Sequence, residues 1–418
     1  MKQRMTRRQF VSAVTASVGL GAKISFADES PFKPLNELMA GFLETHKLPG
    51  ASLAVGRAGR VLYARGFGWA DVEAKKPVQP DSLFRLASIS KSITAVAVMR
   101  AVEQGCVSLD DKILRWIPEL LPAEIPDARW RDITLRHLLQ HTGGWDRDKS
   151  FDAMFRAVPF AKELGVDPPA NPEHIIRVML KKPLDFAPGE RYAYSNFGYC
   201  LLGRVLERLD GVSYFESVRR RVLCPLGLRQ LCLGRTLKEF AQPDEVTYYG
   251  TTGVTGPSVF APNVGQQVPW PYGGWHLEAM DAHGGWIGSA SDLVRLAMSL
   301  DSQSCCPLLS ADGLKTMWAR PSGAAGHESD GRPKDMYYGL GWFVRVLPSG
   351  DKNNVWHTGS LDGTSTIFVR RHDGFCWAAL FNCRSGFNPE TMKSDITPSK
   401  AIDGAIHQAV DAVREWPM

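Results

Sequence analysis

The order of strand and helix patterns along the chain is the sequence feature that most constrains the fold. Alternating runs at 51–55 and 61–64 predict two strands near the start, and runs within 337–381 predict several more. Helical periodicity fills the part between them, at 92–104, 133–140, 172–181, 197–209 and 213–223. We therefore predict an α+β fold, in which an antiparallel sheet built from both ends of the chain holds an inserted, mostly helical region.

The approximate limits of these parts follow from the same patterns. The sheet part is expected at about 30–88 and 284–418, and the helical part at about 89–283. Helices at 35–46 and about 399–414 precede the first strand and follow the last one.

Residues 1–27 have the pattern of an export signal. Arg7 and Arg8 form a twin-arginine motif, an apolar stretch of small residues runs through about 10–22, and small residues at Ser25 and Ala27 suit a signal peptidase. The stretch is too short for a permanent membrane span, and no other run approaches 18 apolar residues. We therefore expect a domain at 28–418 that is periplasmic or secreted and keeps no stable membrane anchor after cleavage.

The charge balance bears on the classes of partner, and the cysteine spacing bears on disulfide bonds. Five of the 49 lysines and arginines precede Asp28, which leaves 44 basic residues against 44 acidic ones and gives no indication of nucleic-acid binding. The eight cysteines include no Cys-x-x-Cys pair, so we interpret most of them as small buried hydrophobic residues. Their disulfide pairing stays open at this point, as does the oligomeric state.

A candidate nucleophile lies where a short extended run turns into an apolar helix. Ser88 and Lys91 are three residues apart, so a helix places the lysine nitrogen beside the serine hydroxyl. A serine needs such a base to become nucleophilic, and a lysine serves as one when its pKa is lowered. A second copy, Ser349 with Lys352, lies among turn residues and is interpreted as a hairpin tip. The alternative for the first copy is an N-capping serine followed by a surface lysine.

Other catalytic patterns are absent from the sequence. His137 and His141 have the spacing of a zinc pair, but Leu138 stands where a metalloprotease needs glutamate, so we interpret the pair as capping and packing the end of a helix. The chain contains neither a phosphate-binding glycine loop nor a Gly-x-Ser-x-Gly elbow. We therefore predict neither a metal nor a cofactor.

Two further motifs follow the candidate nucleophile in order. Tyr194-Ser195-Asn196 precedes an apolar helix, and His357-Thr358-Gly359 ends a short strand. With Ser-x-x-Lys, these motifs resemble the serine β-lactamase and penicillin-binding protein superfamily, in its class C-like branch. That branch includes class C β-lactamases, DD-peptidases, D-aminopeptidases and related bacterial esterases.

The resemblance covers nearly all of the chain after the signal and implies roles for individual residues. Ser88 would be acylated, Lys91 and Tyr194 would carry protons, and Asn196 would bind the substrate amide or a neighbouring side chain. The backbone N–H groups of Ser88 and Ser360 would form the oxyanion hole.

The third motif departs from class C β-lactamases, which have lysine where this chain has His357. A histidine can lose its charge near neutral pH, so a β-lactam carboxylate would be bound less strongly. With Thr358, Gly359 and Ser360, His357 is assigned to substrate binding.

The resemblance therefore implies an exported serine acyl hydrolase of the esterase or D-amino-acid peptidase or carboxypeptidase type. Its substrate would be a small ester, an amide or a peptidoglycan-like peptide. The alternatives are a β-lactamase or a non-catalytic peptidoglycan-binding relative.

Overall fold

The computed structural model describes residues 31–250, 254–301, 307–350, 352–385 and 396–417. The predicted export signal and two of the eight cysteines, Cys305 and Cys306, lie outside these residues. The six described cysteines are free. None of the described helices is both long and apolar enough to cross a membrane.

The described strands fall into three sheets. Their bounds are β1 Gly50–Arg57, β2 Arg60–Asp71, β3 Lys76–Pro77, β4 Phe84–Arg85, β5 Cys232–Leu233, β6 Thr255–Pro257, β7 Gln267–Pro269, β8 Trp286–Gly288, β9 Met336–Tyr338, β10 Phe343–Val346, β11 Asn353–Leu361, β12 Thr364–Arg370 and β13 Cys376–Phe381. The main sheet has the order β3-β2-β1-β13-β12-β11-β10-β9 with antiparallel neighbours. The small sheets are β4-β8-β5 and β6-β7.

The described α-helices lie mainly in the middle of the chain. Their bounds are α1 Lys33–His46, α2 Ser90–Glu103, α3 Leu135–Leu139, α4 Ala157–Leu164, α5 Pro172–Met179, α6 Asn196–Asp210, α7 Tyr214–Val218, α8 Cys224–Leu226, α9 Asp281–Gly284, α10 Ala290–Ser299, α11 Ala311–Met317 and α12 Pro398–Ala412. Short 3₁₀ turns join many of them, and a π-helical turn, Arg219–Leu223, joins α7 to α8.

The main sheet is buried on both faces. Along β13, Trp377 and Ala379 belong to the core that packs on α1 and α12, whereas Ala378 and Leu380 belong to the core on the other face. This alternation follows from the two-residue period of a strand. Helix α1 contributes Leu35, Met39 and Leu43, whose spacing of four puts them on one helical face.

The observed architecture is the predicted α+β fold. The N-terminal hairpin β1-β2 pairs with the C-terminal strand β13, so both ends of the chain build one sheet. The middle of the chain also holds β5, β6 and β7, two or three residues each, which the sequence pattern did not indicate. Runs this short carry too few residues for a two-residue period to stand out.

Candidate active site

Ser88 lies in a one-turn 3₁₀ helix, Ala87–Ile89, between β4 and α2. The preceding residue, Leu86, is held on both sides, because its N–H donates to Trp286 O at 2.8 Å and its carbonyl oxygen accepts from Thr366 Oγ1 at 3.0 Å. Ala87 has φ 48°, in the left-handed region that a residue with a Cβ seldom adopts. The backbone is thus strained directly beside the serine, as is common where a side chain is held for function.

Lys91 is the group nearest to the serine hydroxyl. Helix α2 is buried all round and begins at Ser90, so the lysine side chain is 0% exposed. Its Nζ lies 3.2 Å from Ser88 Oγ and donates to the carbonyl oxygen of His283 at 2.8 Å. Burial lowers the pKa of Lys91 well below its usual value, Asp152 opposes this shift, and Arg147 adds to it. The neutral amine is therefore favoured, which is the form that can accept a proton.

Tyr194 completes a cluster of three side chains. The Ser88 side chain is close enough to lower the pKa of the Tyr194 phenol, and Lys91 Nζ lies 4.8 Å from the centre of its ring. Burial raises the pKa of Tyr194 well above its usual value, although the Ser88 side chain and the charge of Arg147 lower it in part. The phenol thus keeps its proton, and of the two predicted proton carriers Lys91 is the better base.

Asn196 begins α6, directly after the N-cap residue Ser195, whose hydroxyl accepts from Gly198 N at 3.4 Å. Its Nδ2 donates to Asp152 Oδ2 at 2.6 Å, which fixes the amide orientation. Burial raises the pKa of Asp152, and the bond from Asn196 lowers it in part. Asp152 therefore positions Asn196 and also places a carboxyl group near Lys91.

His357 is buried on β11, with 1% of its surface exposed. Its Nδ1 lies 2.7 Å from the carbonyl oxygen of Thr358 and its Nε2 lies 2.9 Å from the hydroxyl of Tyr338. A carbonyl oxygen can only accept, so Nδ1 donates and Nε2 accepts from Tyr338. Burial, with Lys91 as the second cause, lowers the pKa of His357 to about 3. The lowered pKa favours the neutral imidazole at neutral pH.

The rest of the third motif runs beside the nucleophile. Thr358 and Gly359 pair with Ile367 and Thr366 on β12, and Ser360 is exposed. A side chain could not replace the hydrogen of Gly359, because a Cβ there would lie 2.1 Å from Leu86 O. The strand can therefore approach the turn that carries Ser88 only with glycine at this position.

A cavity of about 300 Å³ opens over Ser88. It is lined by Ala87, Ser88, Arg147, Asp148, Phe155, Asn196, Trp270, Trp275, Met280, His283, Gly284, Ser360, Leu361, Asp362 and Arg384. Ser88 and Ser360, which are predicted to supply the oxyanion N–H groups, line this cavity, whereas His357 does not. Four of the lining side chains are charged, as two cations and two carboxylates, so the wall attracts neither charge strongly.

Three important side chains were not singled out from the sequence for this site. Arg147 has its guanidinium carbon 4.8 Å from the centre of the Tyr194 ring. Asp152 holds Asn196, and His141 lies with its ring centre 4.3 Å from that of Tyr194 and accepts a hydrogen bond from Ser195 N at 3.1 Å. His141 was interpreted as part of a helix end. It lies beyond the last residue of α3, where its φ of 57° turns the chain toward Tyr194.

His137 and His141, which have the spacing of a zinc pair, were interpreted as capping and packing the end of a helix. His137 caps α3 at its beginning, because its Nδ1 accepts from Thr134 N at 3.3 Å. Among the residues that the structure describes, no three His, Cys, Asp or Glu side chains lie together in a group able to hold a metal ion.

A half-buried serine with a buried lysine three residues on, set between an antiparallel sheet and a helical region, is typical of serine hydrolases of the penicillin-binding type. The family model described as Beta-lactamase matches residues 35–396. The chain therefore belongs to the β-lactamase family and is a serine hydrolase.

Known proteins similar to this chain include esterases and amidases. Esterase EstB of Burkholderia gladioli is 36% identical over 192 residues, 45% of this chain and 47% of that protein, so the match spans about half of each. The structure of EstCE1, described as a hydrolase with promiscuous acyltransferase activity, has a TM-score of 0.68 at 24% identity, covering 94% of this chain and 100% of the other. The D-amino acid amidase of Ochrobactrum anthropi SV3 has a TM-score of 0.66 at 24% identity, covering 91% and 98%. These two structures share the fold of the chain.

Proposed function

We propose that the protein hydrolyses an ester or an amide of a D-amino acid through an acyl-enzyme on Ser88. The observation that carries this proposal is the 3.2 Å separation between Lys91 Nζ and Ser88 Oγ, with the lysine buried and its pKa lowered. The likeness to an esterase supports the ester, and the fold shared with a D-amino acid amidase makes the amide worth testing.

The reaction has two half-reactions that use the same groups. Ser88 Oγ attacks the substrate carbonyl carbon while neutral Lys91 takes the hydroxyl proton. The bond to the leaving alcohol or amine then breaks, and the leaving group receives that proton through the phenol of Tyr194. Water attacks the acyl-enzyme in the same way, which releases the acid and restores Ser88.

The backbone N–H groups of Ser88 and Ser360 would stabilise the oxyanion of each tetrahedral intermediate. One such donor is worth about 3 kcal/mol of transition-state stabilisation. Asn196, whose amide is fixed by Asp152, would contact the substrate beside the reacting carbonyl.

Intact-protein mass spectrometry distinguishes the candidate substrates. The protein is mixed with p-nitrophenyl esters, D-alanyl peptides, D-phenylalanine amide or benzylpenicillin, and both formation and loss of the adduct are followed. We expect rapid turnover of a neutral ester, because it needs only the oxyanion donors and the nucleophile, and slow turnover of penicillin, because neutral His357 adds no positive charge. Faster turnover of penicillin than of every ester would make the protein a β-lactamase, and binding without turnover would make it a non-catalytic relative.

We also propose that the protein is exported by the twin-arginine pathway and acts in the periplasm or outside the cell. Arg7 and Arg8 support this proposal, together with the apolar stretch that follows them. Replacing both arginines by lysine should leave an unprocessed precursor in the cytoplasm, visible by immunoblotting of cell fractions. Processed protein in the periplasm of that variant would contradict the proposal.

A further inference from the structure

A second cavity, of about 280 Å³, adjoins the one over Ser88. The two cavities share Arg147 and Asn196 as lining residues. The second cavity is lined by Trp145, Arg147, Ser150, Phe151, Asp152, Ala153, Met179, Lys182, Pro183, Asp185, Ser195, Asn196 and Phe197. We call it the inner cavity, because Trp145, Ala153 and Met179 are buried members of the core of the helical region.

Several polar groups of the inner cavity already have partners within the protein, whereas no hydrogen bond from the described residues reaches Trp145 Nε1 or Asn196 Oδ1. Asp152 Oδ2 accepts from Asn196 at 2.6 Å, and Asp185 Oδ2 accepts from Asp146 N at 2.8 Å and from Ser150 Oγ at 3.0 Å. Lys182 Nζ lies 3.6 Å from a carboxylate oxygen of Glu163. What remains for a ligand is mainly the aromatic and aliphatic surface of the wall, which favours an apolar group.

We infer that the inner cavity binds the acyl chain of the substrate, and that the preferred acyl group is apolar and of medium length. This inference rests on the proposed acyl hydrolase function. The acyl group stays attached to Ser88 throughout the life of the acyl-enzyme, so a cavity walled in part by the core of the helical region suits it, whereas the leaving group must reach solvent. A dry apolar cavity of about 150 Å³ already accepts benzene, so the inner cavity has room for a hexanoyl or phenylacetyl group.

Arg147 lines both cavities, so an acyl chain that enters the inner cavity must pass its side chain. It is 44% exposed and its nearest carboxylate partner, Asp148 Oδ1, lies 3.9 Å away at the surface. A long, partly exposed side chain changes rotamer within nanoseconds, so Arg147 need not block an acyl chain that passes beside Asn196.

The test compares p-nitrophenyl acetate, butyrate and hexanoate as substrates. In the wild type, kcat/KM should rise by about fourfold for each methylene that enters the inner cavity. Ala153→Leu fills the cavity from its buried wall, and Ala153→Val fills it less. Both variants should reduce the increase of kcat/KM with acyl chain length, the leucine more than the valine. Both should leave kcat/KM for the acetate within about twofold of wild type, because the acetyl group ends before the cavity.

Ala161→Leu is the matched control. Ala161 is also a buried alanine of the helical region, but it does not line the inner cavity. Its replacement reports on overpacking alone and should keep the wild-type dependence on chain length.

The outcomes separate this inference from the proposed function. A flat chain-length profile in the wild type, or an unchanged rise in both Ala153 variants, would overturn the inference while acetate turnover still supports the hydrolase. Absence of ester turnover in the wild type would contradict the proposed esterase activity. In that case binding of free hexanoate and acetate, measured by calorimetry, still tests the cavity: equal affinities in the wild type overturn it, and a preference for hexanoate lost in Ala153→Leu supports it.

Discussion

Gly359 on β11 lies against the backbone of Leu86, so closely that a Cβ on residue 359 would come within 2.1 Å of the Leu86 carbonyl oxygen. The same carbonyl accepts a hydrogen bond from Thr366 Oγ1 on the neighbouring strand. Leu86 precedes the strained turn that carries Ser88. The sheet therefore sets the position of the nucleophile through one close backbone approach and one side-chain hydrogen bond.

Gly359→Ala should displace this turn from the sheet. The added methyl group meets backbone rather than a flexible side chain, so we expect a loss of about 1–3 kcal/mol in the free energy of unfolding. A shift of Ser88 relative to Ser360 by about 1 Å should lower kcat/KM by about 100-fold. Urea unfolding and ester kinetics measure the two effects.

Gly404→Ala is the control for that substitution. Gly404 is exposed in α12, and a Cβ there would have nothing within 4 Å. Alanine should stabilise the helix by about 0.5–1 kcal/mol and leave kcat/KM unchanged. Equal effects of the two substitutions would show that the contact between Gly359 and Leu86 is not important.

The two Ser-x-x-Lys copies should respond differently to a fluorophosphonate probe. Ser88 lies beside a buried lysine, whereas Ser349 lies in the exposed turn between β10 and β11. Ser88→Ala should abolish labelling, and Ser349→Ala should preserve it, as judged by in-gel fluorescence. Labelling that survives in Ser88→Ala would rule out Ser88 as the nucleophile.

The pH dependence of kcat/KM should report on the charges around Lys91. Asp152 raises the pKa of Lys91 and Arg147 lowers it. If neutral Lys91 is the base, activity falls as the pH drops through its pKa. Asp152→Asn should therefore move the acid limb to lower pH, and Arg147→Met should move it to higher pH.

Opposite shifts from the two variants separate an electrostatic effect from general damage to the site. Asp132→Asn serves as the control, because the Asp132 side chain is 72% exposed and lies on the surface. Acid limbs that move in the same direction in Asp152→Asn and Arg147→Met would contradict the role of Lys91 as the base.

Stability in acid should depend on His357. Its pKa is about 3 in the folded protein, and it rises to about 6.5 on unfolding, so the unfolded state binds more protons between these values. The stabilisation is complete above about pH 6.5 and is lost as the pH falls toward 3. His357→Gln should reduce the pH slope of the free energy of unfolding by about 1.4 kcal/mol per pH unit between pH 4 and 6.

Urea unfolding at several pH values provides the measurement, and His372→Gln is the control because His372 is exposed. A slope that is the same in His357→Gln and in the wild type would mean that His357 is not held neutral by burial.

The local parts of the site were predictable from sequence. Ser88 and Lys91 are three residues apart where a 3₁₀ turn leads into α2, and Tyr194 and Asn196 flank the N-cap of α6, so short spacing keeps each pair together. The contacts between residues far apart in the sequence were not predictable. Lys91 bonds to the carbonyl of a residue 192 positions away, and Asp152 reaches Asn196 across 44 positions. Neither contact leaves a periodic pattern in one sequence.

The fold shows the same division. Hydrophobic periodicity predicted the terminal strands and the helical middle, because each main element repeats its pattern over several residues. Trp270 and Trp275, in contrast, lie in an irregular part of the chain, rich in Gly and Pro, whose sequence shows no such pattern. The fold brings them to the wall over Ser88, through turns too short to have a recognisable period.

The pairing of β1 with β13 has a consequence for how the protein is made. Ala51 lies opposite Phe381, so β1 gains its second neighbour only after the ribosome has made the helical region and the strands up to β13. Such distant pairings slow folding and leave an open strand edge in the meantime. Termination before Cys376 would leave β1 and β12 each without the neighbour that lies between them, and such open strand edges promote aggregation.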